Sequence, residues 1–255
     1  MSDIKISNLN KSFGDKTVLR NLRAVFPCGR ITCIMGSSGC GKTTLLNILM
    51  GLMSADSGEI TGIPGRVSAV FQEDRLCEGF TAVSNIRAVT GKNVPIAEIE
   101  KHLTDLGLAD SMYKPVIKLS GGMKRRVAIA RAILYDPELI ILDEAFKGLD
   151  AATKKLAMDY LLKHVSDNVD KGTGVLSTQA DTGAGICRTR VSRTEVSSPK
   201  VDKNTGAMGA EVSSTQAVNS SVPLSNLSKP AKTVIAVTHD FEEAEYLGGS
   251  IIRLE

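Results

Sequence analysis

The stretch "GSSGCGKT", Gly36 to Thr43, constrains the fold more than any other, because it follows the strand-like "ITCIM" and leads into the helical "TTLLNILMGLM". It matches the G-x-x-x-x-G-K-T pattern in the context that pattern needs, a strand before and a helix after. Glycines let backbone N–H groups turn inward around phosphates, and the helix N-terminus adds its positive end. Lys42 can then reach the β and γ phosphates of a nucleotide, and the Thr43 hydroxyl can bind magnesium. The candidate phosphate-binding residues are Gly36, Ser37, Ser38, Gly39, Cys40, Gly41, Lys42, Thr43 and Thr44.

The rest of the chain supplies the architecture such a loop requires. Strand-like runs rich in β-branched residues recur at "RITCIM" (30–35), "RVSAVF" (66–71), "ELIILD" (138–143), "TVIAVT" (233–238) and "SIIRL" (250–254). They alternate with helical patterns, as in "VPIAEIEKHLTDLGL", where Pro95 stands near the first turn, Ile96, Ile99, Leu103 and Leu106 share a face, and Gly107 stops the helix. Near-continuous apolar strands alternating with helices predict a mostly parallel sheet covered on both faces. A chain of 255 residues that is 42% hydrophobic can bury such an α/β core. The first sixty residues read instead as short strands joined by turns, a small antiparallel β lobe. From about 166 to 231 the composition turns to Ser, Thr, Gly, Asn and Lys with no helical period, which predicts an inserted, disordered loop.

Composition excludes several classes. Lys plus Arg number 31 against 28 Asp plus Glu, a formal charge of +3, so nothing in the totals asks for nucleic acid or an anionic membrane. No stretch approaches the roughly 18 apolar residues of a membrane-spanning helix, and the first residues have no signal-peptide core, so a cytosolic protein is expected. Cys28, Cys33, Cys40, Cys77 and Cys187 include no CxxC pair, and His102, His164 and His239 are not spaced with them as zinc ligands. They read as reduced, mostly structural thiols.

A second chemical feature is "LIILDEAF", a buried-type strand ending in two adjacent carboxylates, Asp143 and Glu144. Successive side chains on a strand point to opposite sides, so the two need not share a task. Asp143 can orient a magnesium-bound water while Glu144 polarises an attacking water. An ordinary helix cap or solvated turn is the bland alternative, and the neighbouring phosphate loop weighs against it.

Further motifs stand in a recognisable order. "LSGGM" at 119–123 looks like the signature of ATP-binding cassette (ABC) ATPases, "VFQED" around Gln72 resembles their Q-loop, and "KGLD" ending at Asp150 resembles their D-loop. "VTHD" with His239 is similar to their switch loop, and Phe13 sits where the family places an aromatic under adenine. The resemblance covers residues 1–165 and 232–255. It implies a P-loop NTPase fold of the ABC type: one cassette over 1–255, with a mostly parallel core sheet, a small antiparallel β lobe and a helical subdomain at about 73–134.

The resemblance also implies roles. ATP and magnesium would be the cofactors, with Thr43, Gln72 and Asp143 around the metal. Glu144, His239 and Gln72 would serve catalysis, with His239 sensing the γ-phosphate and Asp150 linking two sites. Two cassettes would pack head to tail as an ATP-dependent homodimer, with Ser120, Gly121 and Gly122 of one meeting the γ-phosphate held by the other. A lone Phe near a turn also reads as lobe core, so Phe13 has two readings. Lys124, Arg125 and Arg126 read as a solvated basic face.

Within the family, a single P-loop and no sustained heptads between Gln72 and Ser120 favour a transporter subunit over the coiled-coil and two-cassette classes. "FQEDRL", "LSGGMKRRVAIARA" and "VTHDFEEAEYLGG" look most like importer subunits for nitrate, sulfonate, taurine and related small anions. Implied partners are integral-membrane permease subunits and an extracytoplasmic substrate-binding protein, with no nucleic acid. The implied location is the inner face of the cell membrane, held there through the permease. The alternative is a cassette that binds ATP with little hydrolysis. Three positions depart from the family pattern: Ala145 replaces a usual proline, Met123 a common glutamine, and Lys147-Gly148 a usual small pair.

Overall fold

Two strands are buried at every position, Leu139–Asp143 (β6) and Thr233–Val237 (β7), as expected of strands covered on both faces. The structure, a computed structural model, describes residues 1–165 and 232–254. The remaining elements are β1 (Ile4–Phe13), β2 (Lys16–Phe26), β3 (Ile31–Gly36), α1 (Lys42–Leu49), β4 (Ser57–Thr61), β5 (Val67–Val70), α2 (Ala82–Thr90), α3 (Ile96–Asp105), α4 (Gly121–Leu134), α5 (Ala151–Val165), α6 (Phe241–Tyr246) and β8 (Ser250–Leu254).

The core sheet has the order β5-β6-β7-β3-β8 and is parallel throughout. Period-two alternation divides its side chains between two apolar clusters. Ile140, Leu142, Val234, Ala236 and Cys33 face α2 to α5. Leu139, Ile141, Ile235, Val237 and Ile34 face α1 and the lobe, meeting Leu45, Leu46, Phe26 and Ile6. The expected strands are therefore all present, shifted by one or two residues at their ends. The lobe is the antiparallel set β2-β1-β4, also as expected.

Parallel pairing brings all five carboxyl ends to one edge, where ligands of such sheets bind. Asp143 pairs with Val237, and Val237 with Ile34, so the loops after β6, β7 and β3 leave at one level. The opposite edge receives the end of α5 at Val165 and the start of β7 at Thr233. The expected disordered insertion at about 166–231 lies outside the described residues.

Helices α2, α3 and α4 occupy the interval between β5 and β6. Thr81 caps α2 by accepting from the Ser84 N–H at 3.1 Å. Pro95 precedes α3, and Gly107 beyond its end has φ 68, so both sequence signals act where expected. Ile99, Leu103 and Leu106 are fully buried, while Ile96 at the first turn is half exposed. The Arg126 guanidinium donates to the Leu106 carbonyl at 2.7 Å and ties α4 to the end of α3.

The junction of α3 with α5 is a ring cluster: His102 Nδ1 lies 2.7 Å from the Tyr160 hydroxyl, and His164 stacks 4.7 Å from His102. Burial, then the neighbouring His102 and Lys163, push the His164 imidazole from its ordinary 6.5 down to about 4. Burial lowers His102 too. Both depressed values mean that the junction's contribution is complete above about pH 6.5 and is lost as pH falls toward 4. The urea midpoint of the wild type is expected to fall more steeply across pH 6.5 to 4 than that of His164→Phe. Equal slopes would show that the imidazole does not govern this junction.

Candidate functional site

The phosphate loop is a backbone device held by close packing. Gly41, at the N-terminus of α1, has φ 97, and a Cβ there would stand 2.8 Å from Leu19 Cδ2 and 2.9 Å from Val18 Cγ1. A Cβ on Gly36 would meet the Leu254 carbonyl oxygen at 2.3 Å. Side chains at either position would force the loop away from β8 or the lobe. Lys42 is buried, and its ammonium donates to the Gly36 and Ser37 carbonyls at 2.9 and 2.7 Å. Cys40 Sγ lies 3.8 Å from the same nitrogen. Ser37, Ser38, Gly39 and Thr43 are exposed, and Cys40 and Thr44 are half-buried.

The acidic pair divides between two sets of partners, Asp143 at the end of β6 and Glu144 in the left-handed turn that follows it. Asp143 turns to the phosphate loop, where its Oδ2 accepts from the Thr43 hydroxyl at 3.2 Å. Burial, and then the neighbouring Glu144 charge, push Asp143 above the ordinary carboxylate range, against the Thr43 hydrogen bond. A buried carboxylate and a hydroxyl oxygen side by side suit a hard cation such as magnesium, which prefers oxygen ligands and keeps several waters and phosphate oxygens. Among the described residues no group of three or more His, Cys, Asp or Glu could hold a metal alone. The oxygen pair with a bound phosphate is the chemistry that fits.

Glu144 turns the other way. Its N–H donates to the Val237 carbonyl at 3.0 Å, its φ is 48, and its Oε1 lies 2.8 Å from His239 Nε2. Its Oε2 lies 2.6 Å from Lys147 Nζ. The Lys147 hydrogen bond first, with help from the Lys147, His239 and Lys42 charges, holds Glu144 below the ordinary glutamate range against partial burial. Asp240, the next residue after His239, caps α6 with its carboxylate and pairs with Lys154 on α5 at 3.0 Å. Met35, Gly36, Ser37, His239, Arg253 and Leu254 line a cleft of about 520 Å³ over the loop.

The other expected residues lie at helix caps and strand ends. Ser120 caps α4, accepting from the Met123 N–H at 3.3 Å, and with Gly121 is exposed. The helix begins at Gly121. None of the hydrogen bonds among the described residues ties Ser120, Gly121 or Gly122 to the phosphate loop of the same chain. Asp150 caps α5 through the Thr153 N–H at 3.0 Å and is exposed. Phe13 ends β1 with its ring half exposed and outside the lobe core, 5.5 Å from Lys11 Nζ. Gln72 follows β5 with an exposed side chain.

A family model described as ABC transporter matches residues 19–147, from the lobe through the acidic pair. The chain belongs to the ABC transporter family. It is 36% identical over 186 residues to the aliphatic sulfonates import ATP-binding protein SsuB of Corynebacterium glutamicum, covering 71% of this chain and 75% of that one. It is 39% identical over 170 residues to the SsuB protein of Rhodopseudomonas palustris, covering 64% and 60%. Against the bicarbonate transport ATP-binding protein CmpD of Synechocystis sp. it is 38% identical, covering 65% of each. It thus spans about two thirds of the length of these relatives. Among solved structures, an ATP-binding cassette of an ABC transporter in its ADP conformation matches 64% of this chain with TM-score 0.54 at 23% identity, a likeness of fold. An Atm1-family ABC exporter with ATP bound matches with TM-score 0.66 at 18% identity, covering 37% of that chain.

One expectation about this ABC cassette is corrected. The basic run is not a solvated face: Arg125 is buried, and its guanidinium donates to the Phe71 carbonyl and, at 2.6 Å, to that of Gln72. Its Nε lies 3.2 Å from Asp74. Arg131 donates to the Arg75 and Asp74 carbonyls at 2.8 and 3.2 Å. Two arginines of the signature helix thus grip the backbone of residues 71–75. The signal was present in the spacing, since Arg125 shares a helical face with buried Ala128, Ile129 and Ala132. Lys147 and Arg253, also missed, carried no such period. Ala145 and Phe146 are buried in the core, so the loop after Glu144 is anchored despite the missing proline.

Arg125→Met keeps the length of the side chain but leaves two carbonyls and the half-buried Asp74 without their donor. Its unfolding free energy is expected to fall by about 2–4 kcal/mol in urea titration. An unchanged midpoint would mean that the guanidinium does not support the loop.

Proposed function

We propose that this ABC cassette binds ATP with magnesium and hydrolyses it to power a membrane importer of small anions. One observation carries the reading: Asp143 accepts from Thr43 beside the buried Lys42, and Glu144, the next residue, lies 2.8 Å from His239, which shares a cleft with Gly36 and Ser37. That is a phosphate cradle and a proton acceptor at neighbouring strand ends. Magnesium held by Thr43, Asp143 and Gln72 would neutralise charge on the β and γ phosphates. The loop N–H groups from Gly36 to Thr44 and the end of α1 cradle those phosphates, and Lys42 exchanges its two carbonyl partners for phosphate oxygens. Phe13 stacks under adenine with its open face. Glu144 accepts a proton from the attacking water, and His239, 2.8 Å from its Oε1, reports the γ-phosphate. The intact Glu144–His239 pair favours hydrolysis over binding alone.

The exposed N-terminus of α4 completes the site in trans. Ser120, Gly121 and Gly122 of one copy meet the phosphate held by another, Asp150 lies between the two sites, and the cassettes form a head-to-tail homodimer. The sulfonate and bicarbonate systems named for the relatives support an importer whose cargo is a small anion. Permease subunits then hold this chain at the inner face of the membrane, with an extracytoplasmic binding protein delivering cargo. No helix among the described residues is long and apolar enough to cross a membrane itself. We read 1–255 as a single cassette with a helical subdomain at about 73–134 and an insertion at about 166–231.

Lys42→Ala is expected to abolish detectable ATP binding in calorimetry. Glu144→Gln is expected to bind ATP like wild type while turnover falls by at least about a hundredfold. It should sediment as a dimer with ATP and as a monomer without, and Ser120→Arg in that background should remove the dimer. Wild-type turnover by Glu144→Gln would refute the catalytic assignment, and a surviving ATP-dependent dimer would refute the trans arrangement.

A further inference from the structure

The turn after β6 delivers a charge to Glu144 that the proposed chemistry does not use. Glu144 lies in the left-handed region at φ 48, and the Lys147 N–H closes the turn on the Glu144 carbonyl at 3.1 Å. Phe146 is buried inside the turn, and Gly148 at φ 79 releases the chain toward α5. This backbone leaves Lys147 on the surface, 63% exposed, with its ammonium 2.6 Å from Glu144 Oε2. The second oxygen, Oε1, is taken by His239 Nε2 at 2.8 Å. The Glu144 side chain itself is only 12% exposed. Oε2 therefore already accepts a charge-assisted hydrogen bond and Oε1 lies against an imidazole, so the carboxylate turns toward a water only by bending or breaking one of these contacts.

We propose that Lys147 restrains Glu144 and slows hydrolysis in this cassette, acting as a brake built into the turn. The inference rests on the reading that Glu144 accepts the proton of the attacking water. His239 is the donor that belongs beside the γ-phosphate in that reading, so it stays at the site during turnover. Lys147 has no hydrogen bond to the phosphate loop among the described residues, and its contact with Oε2 is spent on holding the acceptor. An ammonium there fixes the direction of Oε2 through a charge-assisted hydrogen bond, so the acceptor must give up or bend that contact to line up with the water. Other cations near Glu144 do not duplicate the contact: Lys42 is committed to the phosphate loop and Lys154 to Asp240 and Glu243. The side chain is exposed, so the contact is easily broken, and the brake is correspondingly modest.

The test uses the full chain and ATP turnover. Lys147→Met, similar in length and without charge, is expected to raise kcat about two- to fivefold with KM for ATP unchanged, the scale of one exposed ion pair. Lys147→Arg retains the donor and should lie below Lys147→Met. Because salt screens an exposed pair, the ratio of Lys147→Met to wild-type kcat should shrink as sodium chloride is raised. Loss of packing or stability cannot produce a faster enzyme with this salt dependence. A kcat for Lys147→Met equal to or below wild type overturns the brake, and a lower one would make Lys147 a supporter of turnover. Glu144→Gln assayed in parallel separates the two readings. If it is inactive while Lys147→Met is not accelerated, the brake alone fails; if it hydrolyses normally, the role of Glu144 fails first.

Discussion

Parallel pairing of β6 with β7, and of β7 with β3, is the constraint from which the site follows. Hydrogen-bond register sets Asp143 opposite Val237 and Val237 opposite Ile34. The phosphate loop, the acidic pair and the switch histidine therefore leave the sheet at one level, although 100 residues separate Thr43 from Asp143 and a further stretch separates Asp143 from His239. The register is fixed by burial. A slip of one residue would exchange the sets of β6 and β7 side chains between the α1 face and the α2–α5 face, which are packed by different partners.

That shared edge also explains why two adjacent carboxylates behave differently. Asp143 points into the body of the protein, loses water and is pushed up toward its neutral form, with one hydroxyl donor to hold it. Glu144 points outward between an imidazole and an ammonium and is held charged. Neighbouring carboxyl groups driven apart by environment are a recognised mark of divided chemical labour. Asp143 ends β6 against the phosphate loop, and the left-handed backbone at Glu144 turns the next carboxylate toward His239 and Lys147.

The signature helix contributes at both ends of its length. Its N-terminus is left exposed with Ser120 and Gly121, while Arg125 and Arg131 reach back to the backbone that carries Gln72. The segment after β5 has few apolar anchors of its own, so these guanidinium contacts replace a packed core there. The helix whose exposed N-terminus is proposed to meet a second copy is thus hydrogen-bonded to the backbone of residues 71–75.

Much of this was legible in one dimension because it is local. A phosphate loop is a strand, a set of glycines and a helix start within a dozen residues, and the buried strands announce themselves by unbroken β-branched runs. Helix limits at Pro95 and Gly107 follow from backbone chemistry that needs no distant partner. By itself the sequence determined the parallel α/β core, the antiparallel lobe, the residues of the loop and acidic pair, and the order of the family motifs. Tertiary structure alone decided which distant groups share a hydrogen bond. The pairing of Glu144 with His239 depends on strand register, and the burial of Arg125 depends on the loop that folds across it. The exclusion of Phe13 from the lobe core is decided at the end of the β1–β2 pairing, where it stands opposite Lys16. The Lys147 ammonium reaches Glu144 because a left-handed backbone turn, invisible in residue spacing, brings it there.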